Sequence, residues 1–187
     1  MRIVAGDFGG RRLKAVPGMQ TRPTTDKVKE ALFNIIGPYF DGGRSLDMFA
    51  GSGGLSIEAV SRGVDEAVLI DRQYQAIKTI NENIAVTKAP DRFKVLKGDS
   101  ERVVERLAKT GQPFDWLFLD PPYAKQKIVA DILKCDTLGL FNAGAHVVCE
   151  TDQNAGLVDD IAGFKMIRQQ DYGITVITIY QKVEAEG

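Results

Sequence analysis

Four apolar runs constrain this chain more than anything else in it. Each carries an aspartate at or near its end, and each is followed by a stretch of helical periodicity. They are Ser45-Leu46-Asp47-Met48-Phe49-Ala50, Glu66 to Asp71, Phe93 to Asp99, and Trp116-Leu117-Phe118-Leu119-Asp120. Asp47, Asp71, Asp99 and Asp120 are 24, 28 and 21 residues apart, room for a strand and a helical return. Runs of this kind suit strands buried under helices on both faces, and such returns make the strands parallel. Right-handed returns then put all four carboxylates on one edge of the sheet, where open α/β folds bind ligands. A single strand-end aspartate is commonly a helix cap; four of them look like a site.

The end of the chain reads differently. A fifth strand is expected over Ala145-His146-Val147-Val148-Cys149-Glu150, and Ile161 falls in a sixth connection. Two further strands, Phe164 to Gln170 and Ile174 to Lys182, are joined by only Asp171-Tyr172-Gly173. That link is too short for a helical return, so the last pair must be antiparallel. At 187 residues and 44% hydrophobic, one domain over 1–187 is the default, with 1–24 as an N-terminal extension.

The last of the four runs carries the chemistry. Pro121 and Pro122 cannot donate to a sheet ladder, and a proline pushes the residue before it toward extended geometry. Asp120 and Tyr123 are therefore expected on a rigid lip at the carboxyl end of a strand. Carboxylate and carbonyl acceptors beside a flat ring suit a planar group that bears an amine, such as a nucleobase. The acceptors orient the two N–H bonds and turn the lone pair toward an electrophile. Stacking on the ring contributes about 1–3 kcal/mol per base, and a carboxylate stabilises positive charge growing on the attacked nitrogen.

The first run opens into Gly51-Ser52-Gly53-Gly54 and a helix. A dinucleotide fingerprint would need its third glycine where Ser56 stands, and a phosphate loop would need Gly-Lys-Ser/Thr. Asp47, four residues before Gly51, suits a cationic group such as the ammonium of an amino acid, which points to S-adenosyl-L-methionine. Phe49, Ser52 and Gly53 join that candidate set. Asp71, beside Arg72, lies at the distance where an acidic residue commonly takes ribose hydroxyls. Asp99 could meet the adenine amine, and Ser100 can cap the helix that follows.

Residues 1–29 hold Arg2, Arg11, Arg12, Lys14, Arg22, Lys27 and Lys29 against Asp7 and Asp26, although the whole chain has a net charge of −1. A basic arm on an acidic body is the pattern of a protein that meets nucleic acid at one end. Met1 to Ala5 and Arg11 to Val16 are expected to pair as a β-hairpin. A helix should then start near Asp26, with Val28, Ala31, Leu32, Ile35 and Ile36 as its apolar stripe. Arg22, Thr24 and Thr25 precede it, at a natural anion site. Cys135 and Cys149 read as reduced core thiols, and the single histidine, His146, as structural. No metal site is expected. The start of the chain lacks a signal-peptide core and no apolar run approaches membrane-spanning length, so a cytoplasmic protein off the membrane is expected.

These stretches resemble the class I S-adenosylmethionine-dependent methyltransferases, Rossmann-like folds with a seven-stranded sheet and a final antiparallel hairpin. Within that class the chain is similar to the RsmD family. The residues that carry the likeness are Met1 to Gly6, Gly10-Arg11-Arg12-Leu13-Lys14, Thr21 to Asn34, Leu46 to Gly53, Asp120-Pro121-Pro122-Tyr123 and Tyr172-Gly173. The resemblance implies an enzyme that methylates N2 of a guanine in 16S ribosomal RNA, producing S-adenosylhomocysteine. It implies cofactor contacts at Asp47, Gly51, Gly53, Asp71, Asp99 and Ser100, contacts from Arg22 to Thr25, with Thr24 and Thr25 on the cofactor side, to the methionine end or the substrate, and a target base held from Asp120 to Tyr123. The low net charge fits a substrate presented on the assembled small subunit, with the protein as a monomer.

Rival readings keep the fold and change the acceptor, to a DNA adenine-N6 or a protein-glutamine amine, where Asn more usually replaces Asp120. A non-catalytic RNA-binding assembly factor would keep the cofactor pocket without the lip. A nucleotide-dependent oxidoreductase is disfavoured by Ser56.

Overall fold

In the computed structural model, which describes residues 1–18 and 25–184, the four apolar runs are strands. They are β1 (Arg44–Asp47), β2 (Glu66–Asp71), β3 (Phe93–Lys97) and β4 (Phe114–Leu119). Asp47 and Asp71 end their strands, Asp120 follows β4 directly, and Asp99 lies two residues beyond β3. The chain divides into two compact units, Met1–Ser100 and Glu101–Gly187.

In the first unit β2 pairs in parallel with β1 on one side and with β3 on the other. Ala67, Val68, Leu69 and Ile70 are wholly buried, as an apolar run in a central parallel strand requires. Between β1 and β2 runs α2 (Gly54–Ser61), buried from Leu55 to Ser61. After β2 comes α3 (Tyr74–Thr87), amphipathic, with Ala76, Thr79, Ile80, Asn83, Ile84 and Thr87 on its buried face.

The expected N-terminal hairpin is short: one antiparallel bridge, Arg2 to Arg12, flanked by Ile3 N–H to Arg11 O at 2.8 Å, Gly10 N–H to Ile3 O at 2.7 Å and Leu13 N–H to Met1 O at 2.9 Å. The strands do not extend because side chains of the body take their backbone groups. The Glu58 carboxylate accepts from the N–H groups of Val4 and Ala5 at 2.8 and 3.1 Å. Ser61 Oγ donates to Ala5 O at 2.6 Å and accepts from Phe8 N–H at 3.0 Å. Contact is close enough that a Cβ on Gly6, where φ is +86°, would lie 1.9 Å from Ser61 O. Ile3, Phe8, Leu13 and Val16 are the arm's own buried residues.

Helix α1 (Asp26–Ile36) starts as expected, with Thr25 Oγ1 accepting from Val28 N–H at 3.2 Å. Its buried face is rotated from the expected apolar stripe, to Lys29, Leu32 and Phe33. Lys29 is drawn inward because Glu58 lies 3.4 Å from its ammonium, which also donates to Arg2 O at 2.6 Å.

The second unit holds α4 (Ser100–Ala108), β4, α5 (Ile128–Thr137), β5 (Phe141–Thr151), β6 (Asp160–Ile161), β7 (Phe164–Asp171) and β8 (Val176–Lys182). β4 and β5 are parallel; β8 pairs antiparallel with both β5 and β7. The short link Tyr172–Thr175 closes through Tyr172 N–H to Thr175 O at 2.8 Å, as its length demanded. The described residues hold eight strands rather than seven, since the two-residue β6 pairs with the start of β7 where only a connection was expected. Cys135 and Cys149 are buried, and His146 stacks on Trp116 at 4.6 Å between centroids. Among the described residues no helix is long and apolar enough to cross a membrane.

Candidate active site

In the first unit the exits of β1, β2 and β3 are tied together by backbone. Asp47 is buried, and its Oδ1 accepts from Phe49 N–H at 3.0 Å, turning the chain out of β1. Ala50 N–H then donates to Ile70 O at 2.9 Å, and Gly53 N–H closes on Ala50 O at 2.8 Å. Asp71 holds the turn from the neighbouring strand: Oδ2 accepts from Gly51 N–H at 3.0 Å and Oδ1 from Gln73 N–H at 2.9 Å. A carboxylate has about four acceptor positions, so Asp71 can hold the turn and still accept from a ligand hydroxyl. Gly98 N–H donates to Asp71 O at 3.0 Å, which brings the exposed Asp99 and the half-buried Ser100 to the same end.

The turn fits a ligand laid against backbone. Gly51 has φ +57°, and a Cβ built there would meet nothing within 4 Å, so the face is open. Asp47, Phe49, Gly51, Ser52, Gly53 and Asp71 therefore form one continuous structure, with Arg72 exposed at its rim.

In the second unit Pro121 is buried while Pro122 and Tyr123 are exposed, the ring by 41%. A 3-10 turn from Tyr123 to Lys125 follows the prolines, and Lys125 N–H donates to Pro122 O at 3.0 Å. Partial burial pushes the Tyr123 phenol above its usual range, while a hydrogen bond with Thr175 pulls the other way. The carboxylates of Glu150, Asp120 and Asp152 add to the upward shift. An open cavity of about 270 Å³ nearby is lined by Thr151, Asp152, Gln153, Gln169 and Asp171 and shares Asp152 with this cluster.

The arm residues differ in what they do locally. Arg2, Arg12, Lys14 and Lys27 are exposed, Lys14 pairing with Glu82 at 3.2 Å. The Arg11 guanidinium donates to Val86 O and Thr87 O at 3.1 and 3.0 Å, capping α3. Thr25 caps α1, while Arg22 and Thr24 lie outside the described residues. Among the described residues no three His, Cys, Asp or Glu side chains gather as a metal site.

Sequence reasoning passed over Glu58, Ser61, Asn83 and Thr175. A signal for three of them was present: Glu58, Ser61 and Asn83 are polar residues on buried helix faces.

Residues 1–181 match the model of one family, described as Conserved hypothetical protein 95. An Escherichia coli relative, ribosomal RNA small subunit methyltransferase D, is 32% identical over 100% of this chain and 92% of its own. The chain belongs to the RsmD family. Another relative, YlbH of Bacillus subtilis, is 44% identical over 97% of this chain and 99% of its own. The solved structure of yhhF from Escherichia coli superposes with a TM-score of 0.84 at 31% identity, covering 99% of each chain. The family therefore has the class I methyltransferase fold expected from the sequence. A more distant structure, SMU.776, was solved with S-adenosylhomocysteine; at 11% identity and a TM-score of 0.63 the likeness is one of fold.

Proposed function

We propose that this chain transfers a methyl group from S-adenosylmethionine to the exocyclic N2 of a guanine in small-subunit ribosomal RNA. The observation that carries the reading is the Asp120–Tyr123 lip: a carboxylate, a rigid proline pair and an exposed ring at a strand end, with Glu150 and Asp152 close by. The match to the E. coli enzyme over the full chain supports ribosomal RNA as the substrate class.

S-adenosylmethionine supplies, when bound, a sulfonium methyl. The residues of the glycine turn fit it: Asp47 for the ammonium, the open backbone at Gly51 for the chain of the cofactor, Asp71 for ribose hydroxyls, and Asp99 with Ser100 for the adenine edge. Tyr123 stacks on the flipped guanine. Asp120 and the Pro121 carbonyl accept from the N2 amine and so direct its lone pair. As N2 gains positive charge, Asp120 stabilises it, and the proton passes from N2 toward that carboxylate or solvent. Positioning dominates such a reaction.

The deciding experiment is transfer of labelled methyl to small ribosomal subunits that lack the modification, with naked 16S RNA and duplex DNA in parallel. Label on N2-methylguanine of the ribosomal substrates is the expected result, strongest on the particle. Label on DNA alone, or on protein, would move the acceptor to an adenine or glutamine amine.

A further inference from the structure

Asn83 is fully buried on the inner face of α3, and its side chain reaches two segments remote in sequence. Nδ2 donates to Ser52 O in the glycine turn at 2.8 Å and to Lys14 O in the arm at 2.9 Å. Oδ1 accepts from Lys14 N–H at 2.8 Å. The pattern fixes the amide's orientation, because a flip would set the NH2 against the Lys14 N–H and the oxygen against Ser52 O. The other polar side chains on this face, Thr79 and Thr87, bond within or just past their own helix, to Gln75 O and to Ile84 O with Ala89 N–H.

The arm touches the turn and its helix elsewhere too. Glu58 and Ser61, on the helix that the turn opens, hold Val4, Ala5 and Phe8. A Cβ on Gly54 would meet Met1 Cε at 3.7 Å. The turn is thus held on the sheet side by Asp71 through Gly51 and on the arm side by Asn83 through Ser52.

We propose that Asn83 is a positioning residue that couples the seating of the basic arm to the shape of the cofactor turn, so that RNA on the arm tightens cofactor binding. This rests on the functional reading above, in which the arm meets RNA and the turn holds S-adenosylmethionine. A buried amide whose two donors and acceptor are all engaged transmits displacement because losing any of its bonds leaves a polar group unpaired. By linkage, cofactor on the turn tightens RNA by the same factor.

The test is equilibrium dialysis of labelled S-adenosylhomocysteine, with and without saturating small ribosomal subunits, on the wild type and on Asn83→Ala, Asn83→Asp and Thr79→Ala. Asn83→Asp keeps an acceptor for Lys14 N–H and loses both donors. Thr79→Ala perturbs the same buried face without touching arm or turn. The wild-type Kd is expected to tighten about fivefold or more on adding subunits, the lower end of ordinary coupling. Both Asn83 variants are expected to lose that tightening, and Thr79→Ala to keep it.

Wild type that binds S-adenosylhomocysteine equally with and without subunits overturns the coupling and leaves the functional reading standing. Wild type that fails to bind it at all overturns both. An Asn83 variant with full tightening, or a Thr79→Ala that also loses it, overturns the role of Asn83. Should the Asn83 variants not fold, amide exchange of residues 48–56 in the wild type decides. Slowing on addition of subunits is expected, and no change refutes the proposal.

Discussion

Glu58→Gln is the sharpest test of how the N-terminal arm is held. The Glu58 carboxylate is wholly buried and serves four donors: Val4 N–H, Ala5 N–H, Arg62 Nε at 2.8 Å and Lys29 Nζ at 3.4 Å. Glutamine preserves the shape and removes the charge. Lys29 and Arg62, 2% and 4% exposed, would stay buried with their main counter-charge gone; Asp26 remains 3.8 Å from Lys29. Breaking a buried pair in this way costs about 3–5 kcal/mol, a large part of the roughly 5–15 kcal/mol that holds a domain folded. Burial already lowers the Lys29 pKa, and Glu58 is the strongest influence raising it, so the variant's folded-state value falls further. A lysine whose folded pKa lies below its unfolded one binds fewer protons when folded, so stability rises with pH between the two values. That window starts at lower pH in the variant, and its deficit should shrink as pH rises. Urea unfolding of both proteins at pH 7 and pH 9.5 measures this. A deficit below about 1 kcal/mol, the scale of an exposed pair, would refute the reasoning, as would a deficit that widens with pH.

Asp120→Ala is expected to abolish methyl transfer while S-adenosylhomocysteine binding stays within about twofold of wild type; full activity would sink the role given to the lip, and a lost cofactor site would place Asp120 in the wrong pocket. Thr25→Ala removes the α1 cap and should lower unfolding free energy by about 1 kcal/mol, read from the urea midpoint. Burial pushes the Cys135 thiol up to about 12 and Cys149 higher still; at pH 8 both are protonated as well as covered, so a thiol reagent should label neither in the native protein and both in urea. Arg11 is spent on α3 and Lys29 on Glu58, so RNA affinity should fall with salt at a log–log slope of about −2 to −4, and Arg11→Ala should cost stability more than RNA affinity.

The parallel half of the fold was legible because its signal is local. Ala67 to Ile70 is buried on both faces and reads as such, and a three-residue link between the last strands admits one pairing. The placement of Asp47 and Asp71 at strand ends and of Gly51 in the turn between them was legible for the same reason. The arm pairs as expected at Arg2 and Arg12, but what ties it to the body was not legible because those partners are distant: Glu58, Ser61 and Asn83 take backbone groups 53 to 69 positions away in sequence. Lys29 displaced the expected stripe of α1 for a similar reason, its charge being met by a carboxylate on another helix. Polar residues at helical core positions were the one sign of these ties, and periodicity counts only apolar residues.

The charges of the chain divide in a way that bears on its substrate. The arm, in the first unit, carries the exposed cations Arg2, Arg12, Lys14 and Lys27, while in the second the carboxylates of Glu150, Asp120 and Asp152 act on Tyr123. In the reading proposed above these signs do opposite work, since phosphates need the first and a base amine the second. On that reading the lip takes the base and not the backbone, so the guanine enters by leaving its stack. That step costs a few kcal/mol, and stacking on one tyrosine returns about 1–3 kcal/mol, which leaves little surplus. Two of the arm's cations already serve the fold. On that reading the remaining free energy comes from a target already splayed out and held in place, and an assembled small subunit would provide this better than a naked strand still free to restack.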